Sequence, residues 1–493
     1  MLDKNIRFLF YSTITLALTL TISFVAMNPA IAQSNNKNIL PEIGVVAANT
    51  LSLQDEVEIG GVYFSQLQGQ GAVLQDPVVQ QYIQSLGNEL VIHADNTKFP
   101  FTFFVVNNQS INAFAFFGGH VGIHTGLFYH ADDEAELAAV LAHEIAHVTQ
   151  RHIVRRMAAQ EKASPLQVAS MIGGAILMMA SPQAGMAAIY AGQGASIQQS
   201  INYTRDNEKE ADRIGIRILA ESGFDPYAAA RFFDKMTEQT RWGSKPPAFL
   251  LTHPISTTRS AEARNRAANL PSQKRPSSLA FHLVKARIVA RYFHTANYNI
   301  TWFEEQLKKQ TLQPEAAEYG LAIAHMRKDE YAQALAYLLP LWRKDPENYA
   351  YVDALTDIYI GLGQFSDAQA LLEPLNEAMP NNPVIVLNYA NQYIEAKQSQ
   401  AAVDLLKDFV MVHPENTLGW RLLSNAHASL QSPMLMHQAN AEWYYLLGAY
   451  RRAIEELQFA LNYADSHLLK QRMRARMDQF RVSEERMKAL VNT

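Results

Sequence analysis

Pro346, Pro380 and Pro414 recur every 34 residues, and Ala334, Ala368 and Ala402 keep the same step. Tyr331 and Phe365 agree with it. A 34-residue period is that of the tetratricopeptide unit, a helix pair with small residues where the helices touch and Pro ending each unit. One such pair cannot bury its apolar face alone, so the units must stack into a solenoid with a concave surface suited to other polypeptides. Leu447-Gly448-Ala449-Tyr450 with Ala453 reads as a further unit, put out of phase by an insertion near 431–438. The basic end, with Lys470, Arg472, Arg474 and Arg476, reads as a solvated capping helix.

The repeats follow a stretch rich in Pro and Ser, 270–278, that has the composition of a linker. Upstream of it the pattern is mixed. Leu53 to Val91 reads as helices, with Val79, Tyr82, Ile83, Leu86 and Leu90 on one stripe. Phe101 to Val106 is β-branched and aromatic, hence a strand. Phe114 to Phe117 and Val121 to Ile123 flank Gly118-Gly119 and read as a hairpin whose exposed edge can receive a peptide by strand addition. The alternative is that Phe114, Phe116 and Phe117 are simply core. The expected fold class is therefore α+β and mostly helical, followed by an all-α solenoid.

The hairpin leads into a helix that carries His143-Glu144-Ile145-Ala146-His147. Asp133 and Glu136 supply an N-terminal capping signal, and Leu137, Val140, Leu141 and Ile145 recur at helical spacing. Residues four apart share a helix face, so His143 and His147 can reach one Zn²⁺ while Glu144 serves as general base of a metallohydrolase. Position 153 is Ile, which excludes the third His of a metzincin. His152 is half a helical turn from the His143 face and is not expected in the ligand set. The next promising carboxylates open a second helix that runs to about Ser222 and stops at Gly223. Glu208 and Asp212 share one face there, so one can bind metal while the other orients a ligand His.

The pattern His-Glu-x-x-His followed much later by Glu-x-x-Ala-Asp resembles the zinc metallopeptidases of the HtpX and CAAX prenyl protease type. Here it runs from His143 to His147 and then from Glu208 to Asp212. The resemblance implies a zincin-like metallopeptidase domain holding one zinc per chain. It implies Glu208 as third ligand, Asp212 as its helper, and Glu210 pointing elsewhere. Asn112 to Gly119 looks like the family's substrate-edge strand and turn. Thr252-His253-Pro254 with Arg259 matches a His-Pro segment that follows the catalytic helices. Arg259 or His253 is then expected to steady the oxyanion, or His253 to occupy the fourth zinc position at rest. The likeness extends to the C-terminal repeats. It implies misfolded or stalled outer-membrane proteins as substrates and the β-barrel assembly machinery as the partner of the repeats.

Lys4 and Arg7 precede an apolar run from Phe8 to about Met27, and Ala30-Ile31-Ala32 supplies small residues for cleavage. This reads as a secretory signal peptide over 1–32, cleaved after Ala32, and with the resemblance it implies the periplasm. The peptidase domain is then expected over 33–269 and the repeat domain over 279–493. The chain has no Cys, so thiolate ligands and thiol chemistry are excluded. The net charge of −5 is mild and argues against a nucleic-acid partner. The apolar stretch 166–195 is broken by Ser181-Pro182-Gln183 into halves too short to span a bilayer. It reads as a lid, a peripheral membrane contact or a packed hairpin.

These expectations describe a zinc endopeptidase with a docking array. The competing class is a chaperone or assembly scaffold whose repeats carry the function. Glu144 separates the two, because a purely structural zinc site does not require that carboxylate.

Overall fold

The computed structural model describes residues 51–159, 205–242, 247–271 and 275–491. The expected signal peptide and the stretch 166–195 lie outside the described residues. The first helices are α1 (Leu53–Gly69) and α2 (Pro77–Val91). Ser52 and Asp76 cap them through their side chains, and Pro77 suits the first turn because its missing N–H has no partner there. Ile83, Leu86 and Leu90 of the predicted stripe are buried.

Three strands follow: β1 (Thr102–Val106), β2 (Ala113–Phe116) and β3 (His120–His124). Their order is β1-β3-β2, with β3 parallel to β1 and antiparallel to β2. The β2–β3 turn is a single 3₁₀ turn in which Gly118 and Gly119 adopt φ of 71° and 83°. A Cβ at Gly119 would lie 2.5 Å from the Pro100 carbonyl oxygen, so only glycine closes this turn. Side chains alternate across the sheet with period two. Phe103, Val105, Ala113, Ala115, Val121 and Ile123 join the main core, while Phe104, Val106, Phe114, Phe116 and Phe117 join a second core under α1. The three phenylalanines around the turn are therefore core, and the expected exposed edge is instead buried along β2.

Next come α3 (Thr125–His130) and the His-Glu-x-x-His helix α4 (Glu134–Thr149). Asp133 caps α4 by accepting from the Glu136 N–H at 2.8 Å. Every residue of α4 is buried, so this helix is the axis of the peptidase region. After it come α5 (His152–Ala159), α6 (Arg205–Glu221), α7 (Ala228–Trp242), α8 (Ala248–Thr252) and α9 (Thr257–Ala268). The end of α6 matches expectation, with Gly223 at φ 77° beyond it.

From α10 (Leu279–Tyr292) onward the described chain is helical. Helices begin at Tyr331, Phe365, Ser399, Pro433 and His467, each 34 residues after the last. Ala334, Ala368 and Ala402 are fully buried, as their repeat predicted. The expected insertion near 431–438 is not what the chain does. Pro433–Leu446 is an in-phase helix, and the Tyr450 helix falls at the alternate helix of a unit, with Ala453 buried as its contact residue.

The peptidase region and the first repeats share one apolar core that runs from Leu74 to Tyr389. Ser277 and Ser278, just before α10, are bonded rather than loose. Ser278 N–H and Oγ donate to the Glu134 carboxylate at 2.8 and 2.7 Å, and Ser277 Oγ accepts from the Glu134 N–H. Arg287 on α10 is the largest fully buried side chain. Its Nε donates to Asp76 at 2.7 Å and its Nη1 lies 2.6 Å from Asp353, so one guanidinium ties α2 to the repeat helix Tyr349–Gly361.

Candidate metal centre

The site forms because α4 and α6 approach at a glycine. A Cβ on Gly215 would lie 3.0 Å from the His143 backbone nitrogen, so α6 rests directly on the backbone of α4. That close approach carries Glu208 and Asp212, two turns and one turn before Gly215, to the imidazoles of α4. His253 enters from the other side, just after α8. Its ring stacks on buried Phe249 at 4.7 Å.

Four buried side chains converge. His143 Nε2 lies 3.0 Å from His147 Nε2, and each lies 3.5 Å from a Glu208 oxygen. His253 Nδ1 lies 3.0 Å from Glu208 Oε1 and 3.4 Å from His143 Nε2. One ligand atom from each residue falls within 4.8 Å of the others. Tetrahedral nitrogen and oxygen ligands about 2.0–2.1 Å from a zinc ion lie about 3.3 Å from one another, so this spacing fits zinc.

The electrostatics fit a cation too. Burial works against a charged His143, yet hydrogen bonds and charge from Asp212 and Glu208 outweigh it and raise its pKa to about 10. Carboxylates that hold a proton so firmly attract a dication in its place. Burial keeps His147 neutral, with its pKa well below the usual histidine range, as a ligand imidazole must be. Burial also disfavours a charged Glu208, but His253, His143 and His147 hold its pKa well below the ordinary range.

Glu144 is fully buried beside this cluster, with Oε1 3.4 Å from His253 Nε2. Neither of its oxygens has a side-chain hydrogen-bond partner. Burial raises its pKa. Behind His143, Asp212 Oδ1 lies 3.0 Å from Nδ1. Arg259, one of the two residues expected to steady the oxyanion, is bonded to the carboxylates of the cluster. It donates twice to Asp212, at 2.7 and 2.8 Å, and once to the Pro254 carbonyl, and its Nη1 lies 2.8 Å from Glu208. Four of its five N–H donors thus meet Asp212, Glu208 and the Pro254 carbonyl, so Arg259 braces the two carboxylates.

The spacing argument missed His152 and Glu210. Helix α4 ends at Thr149, and Arg151 adopts φ 49°, so His152 does not continue the helix. The turn swings it back until its Nδ1 lies 2.9 Å from His147 Nδ1. Its Nε2 lies 3.0 Å from Glu210, which Arg155 also contacts at 2.8 Å. Two titratable residues so near the motif were the available signal, but their meeting depends on a backbone turn.

A model of peptidase family M48 matches residues 77–267, and a tetratricopeptide-repeat model matches 359–426. The β-barrel assembly-enhancing protease of Escherichia coli K12 is 42% identical over 476 residues, covering 96% of this chain and 97% of its own length. The putative β-barrel assembly-enhancing protease of Vibrio cholerae is 42% identical over 466 residues, 94% of this chain and 96% of its own length. Bovine mitochondrial metalloendopeptidase OMA1 is 32% identical over 158 residues, 30% of this chain and 29% of its own length. Among the described residues no helix is long and apolar enough to cross a membrane. The buried His-Glu-x-x-His cluster and a likeness that runs the length of the E. coli relative agree: the chain belongs to peptidase family M48 and is a metalloprotease.

Proposed function

We propose that the protein is a periplasmic zinc endopeptidase that degrades misfolded or stalled outer-membrane proteins and assists β-barrel assembly. In this reading residues 1–32 are the signal peptide, 33–269 the peptidase domain, 270–278 the connection and 279–493 the repeat domain. Its likeness to the E. coli β-barrel assembly-enhancing protease supports a role in β-barrel assembly, and the expected signal peptide supports export. The repeats then dock on the β-barrel assembly machinery. The observation that carries the catalytic reading is the convergence of His143, His147 and Glu208 beside an ionisable, buried Glu144.

His143 and His147, each through Nε2, and a Glu208 oxygen would hold one zinc per chain. When bound, it polarises the scissile carbonyl and acidifies water. Glu144 takes the proton of the attacking water and returns it to the leaving amine. Burial raises its pKa, which favours its holding the proton between those two steps. Asp212 fixes the His143 ring through Nδ1, and Arg259 fixes Asp212. Zinc analysis of the purified protein, combined with digestion of a denatured outer-membrane protein, tests the reading. Glu208→Ala is expected to lose most of the zinc. Stoichiometric zinc at unchanged affinity in that variant rejects Glu208 as a ligand.

His253 closes the site at rest. Its Nδ1 stands in the fourth ligand position and its Nε2 faces Glu144, so one ring blocks both the water position and the base. Hydrolysis needs that position open. His253→Ala is therefore expected to raise activity on an unfolded substrate. A fall of roughly 10²–10³-fold would instead identify His253 as an oxyanion donor.

A further inference from the structure

His143 and His147 both show a second nitrogen that is held from behind, but by different means. His143 Nδ1 meets a carboxylate directly, that of Asp212 at 3.0 Å. His147 Nδ1 meets another imidazole, that of His152 at 2.9 Å, which in turn meets Glu210 at 3.0 Å. His152 is fully buried. Glu210 cannot reach His147 itself. It lies two residues after Glu208 on α6 and therefore points away from the face that bears the cluster.

Resting on the reading that His147 binds zinc through Nε2, we propose that His152 and Glu210 are positioning residues that lock His147 in its metal-binding tautomer and orientation. A neutral imidazole carries one ring proton. If Nε2 gives its lone pair to zinc, the His147 proton sits on Nδ1 and donates to His152 Nδ1. His152 then carries its own proton on Nε2 and donates it to the Glu210 carboxylate. Only this polarity satisfies all three residues at once. The chain ends in a salt bridge from Arg155 to Glu210 at 2.8 Å, as the Asp212 arm ends in Arg259. The two ligand imidazoles are thus held by parallel arms, each closed by an arginine. The His147 arm spans α5 and α6, and it exists because the turn at Arg151 returns His152 to the end of α4.

The test measures zinc affinity of the full chain by competition with a chromophoric chelator, beside the melting temperature of the metal-free protein. His152→Leu keeps the buried volume but removes the acceptor. It is expected to weaken zinc binding about 10–100-fold, with metal-free stability little changed. In His152→Asn the amide oxygen takes the place of Nδ1 and still accepts from His147, so affinity is expected to return to within a few-fold of wild type. Wild-type affinity in His152→Leu overturns the proposal, and so does an Asn variant as weak as the Leu variant. Should His152→Leu fail to fold, Glu210→Ala, which removes a partly exposed carboxylate, carries the test. Zinc affinity that falls there supports the proposal, and unchanged affinity overturns it. Wild type and His147→Ala are measured in parallel. If wild type binds no stoichiometric zinc, or His147→Ala binds it normally, the metal reading itself fails; if those two behave as expected and His152→Leu does not, only the positioning role fails.

Discussion

Glu144→Gln is expected to abolish proteolysis while leaving fold and zinc content intact. The substitution changes one atom in a fully buried side chain, so packing around α4 is preserved. It does not touch His143, His147 or Glu208, whose convergence defines the metal centre. An amide, however, cannot take a proton from water. General acid–base catalysis contributes typically 10²–10⁴-fold, and here base and acid steps fall on the same group, so the loss is expected at or beyond the upper end of that range. The measurement is kcat/KM on a denatured outer-membrane protein, with zinc content determined on the same sample. Activity near wild type would move the base elsewhere. The same variant separates enzyme from scaffold: full function in cells without proteolysis would favour the repeats as the working part.

Arg287→Met should be the most destabilising single change outside the metal centre. Methionine matches the stem of arginine but strips the buried Asp76 and Asp353 of their closest cation, leaving only Arg291 at 4.0 and 3.9 Å. Breaking a buried ion pair by removing one member typically costs about 3–5 kcal/mol, because the remaining charge stays buried. Arg287 and Arg291 hold the Asp76 carboxyl below the usual range against the opposing effect of burial. The unfolded chain therefore binds that proton more readily. The stabilisation is complete above the ordinary carboxylate range and is lost as pH falls through the depressed folded-state value. Thermal unfolding at neutral pH checks the prediction: wild type should melt well above the variant, and the gap should narrow in acid. Equal melting temperatures at neutral pH would mean that the junction draws its stability from the shared apolar core alone.

That junction shows how sequence and tertiary structure divided the work. The stretch 270–278 has linker composition, and composition reports only local preference for turns. Its bonds to Glu134, more than a hundred residues earlier, depend on where α4 lies. Arg287 and Asp76 are 211 residues apart, and nothing in periodicity links them. The repeat array was legible because its information is local and repeated. Each 34-residue unit restates the same small buried residue and the same helix start, and the one misreading, an insertion before Tyr450, arose where helix types alternate rather than where the period changes.

The metal centre divides in the same way. His143, Glu144 and His147 lie within one helical turn, so their shared face follows from helix geometry alone, as does that of Glu208 and Asp212. The sequence by itself determined these two half-sites, the capped helix that carries the first, and the solenoid that follows. Tertiary structure decided how the halves meet. Gly215 lets α6 touch the backbone of α4, the turn at Arg151 returns His152 to His147, and Arg259 comes from α9 to bind Asp212. Each of these depends on a contact between segments far apart in the chain or on a single backbone dihedral, and side-chain spacing encodes neither.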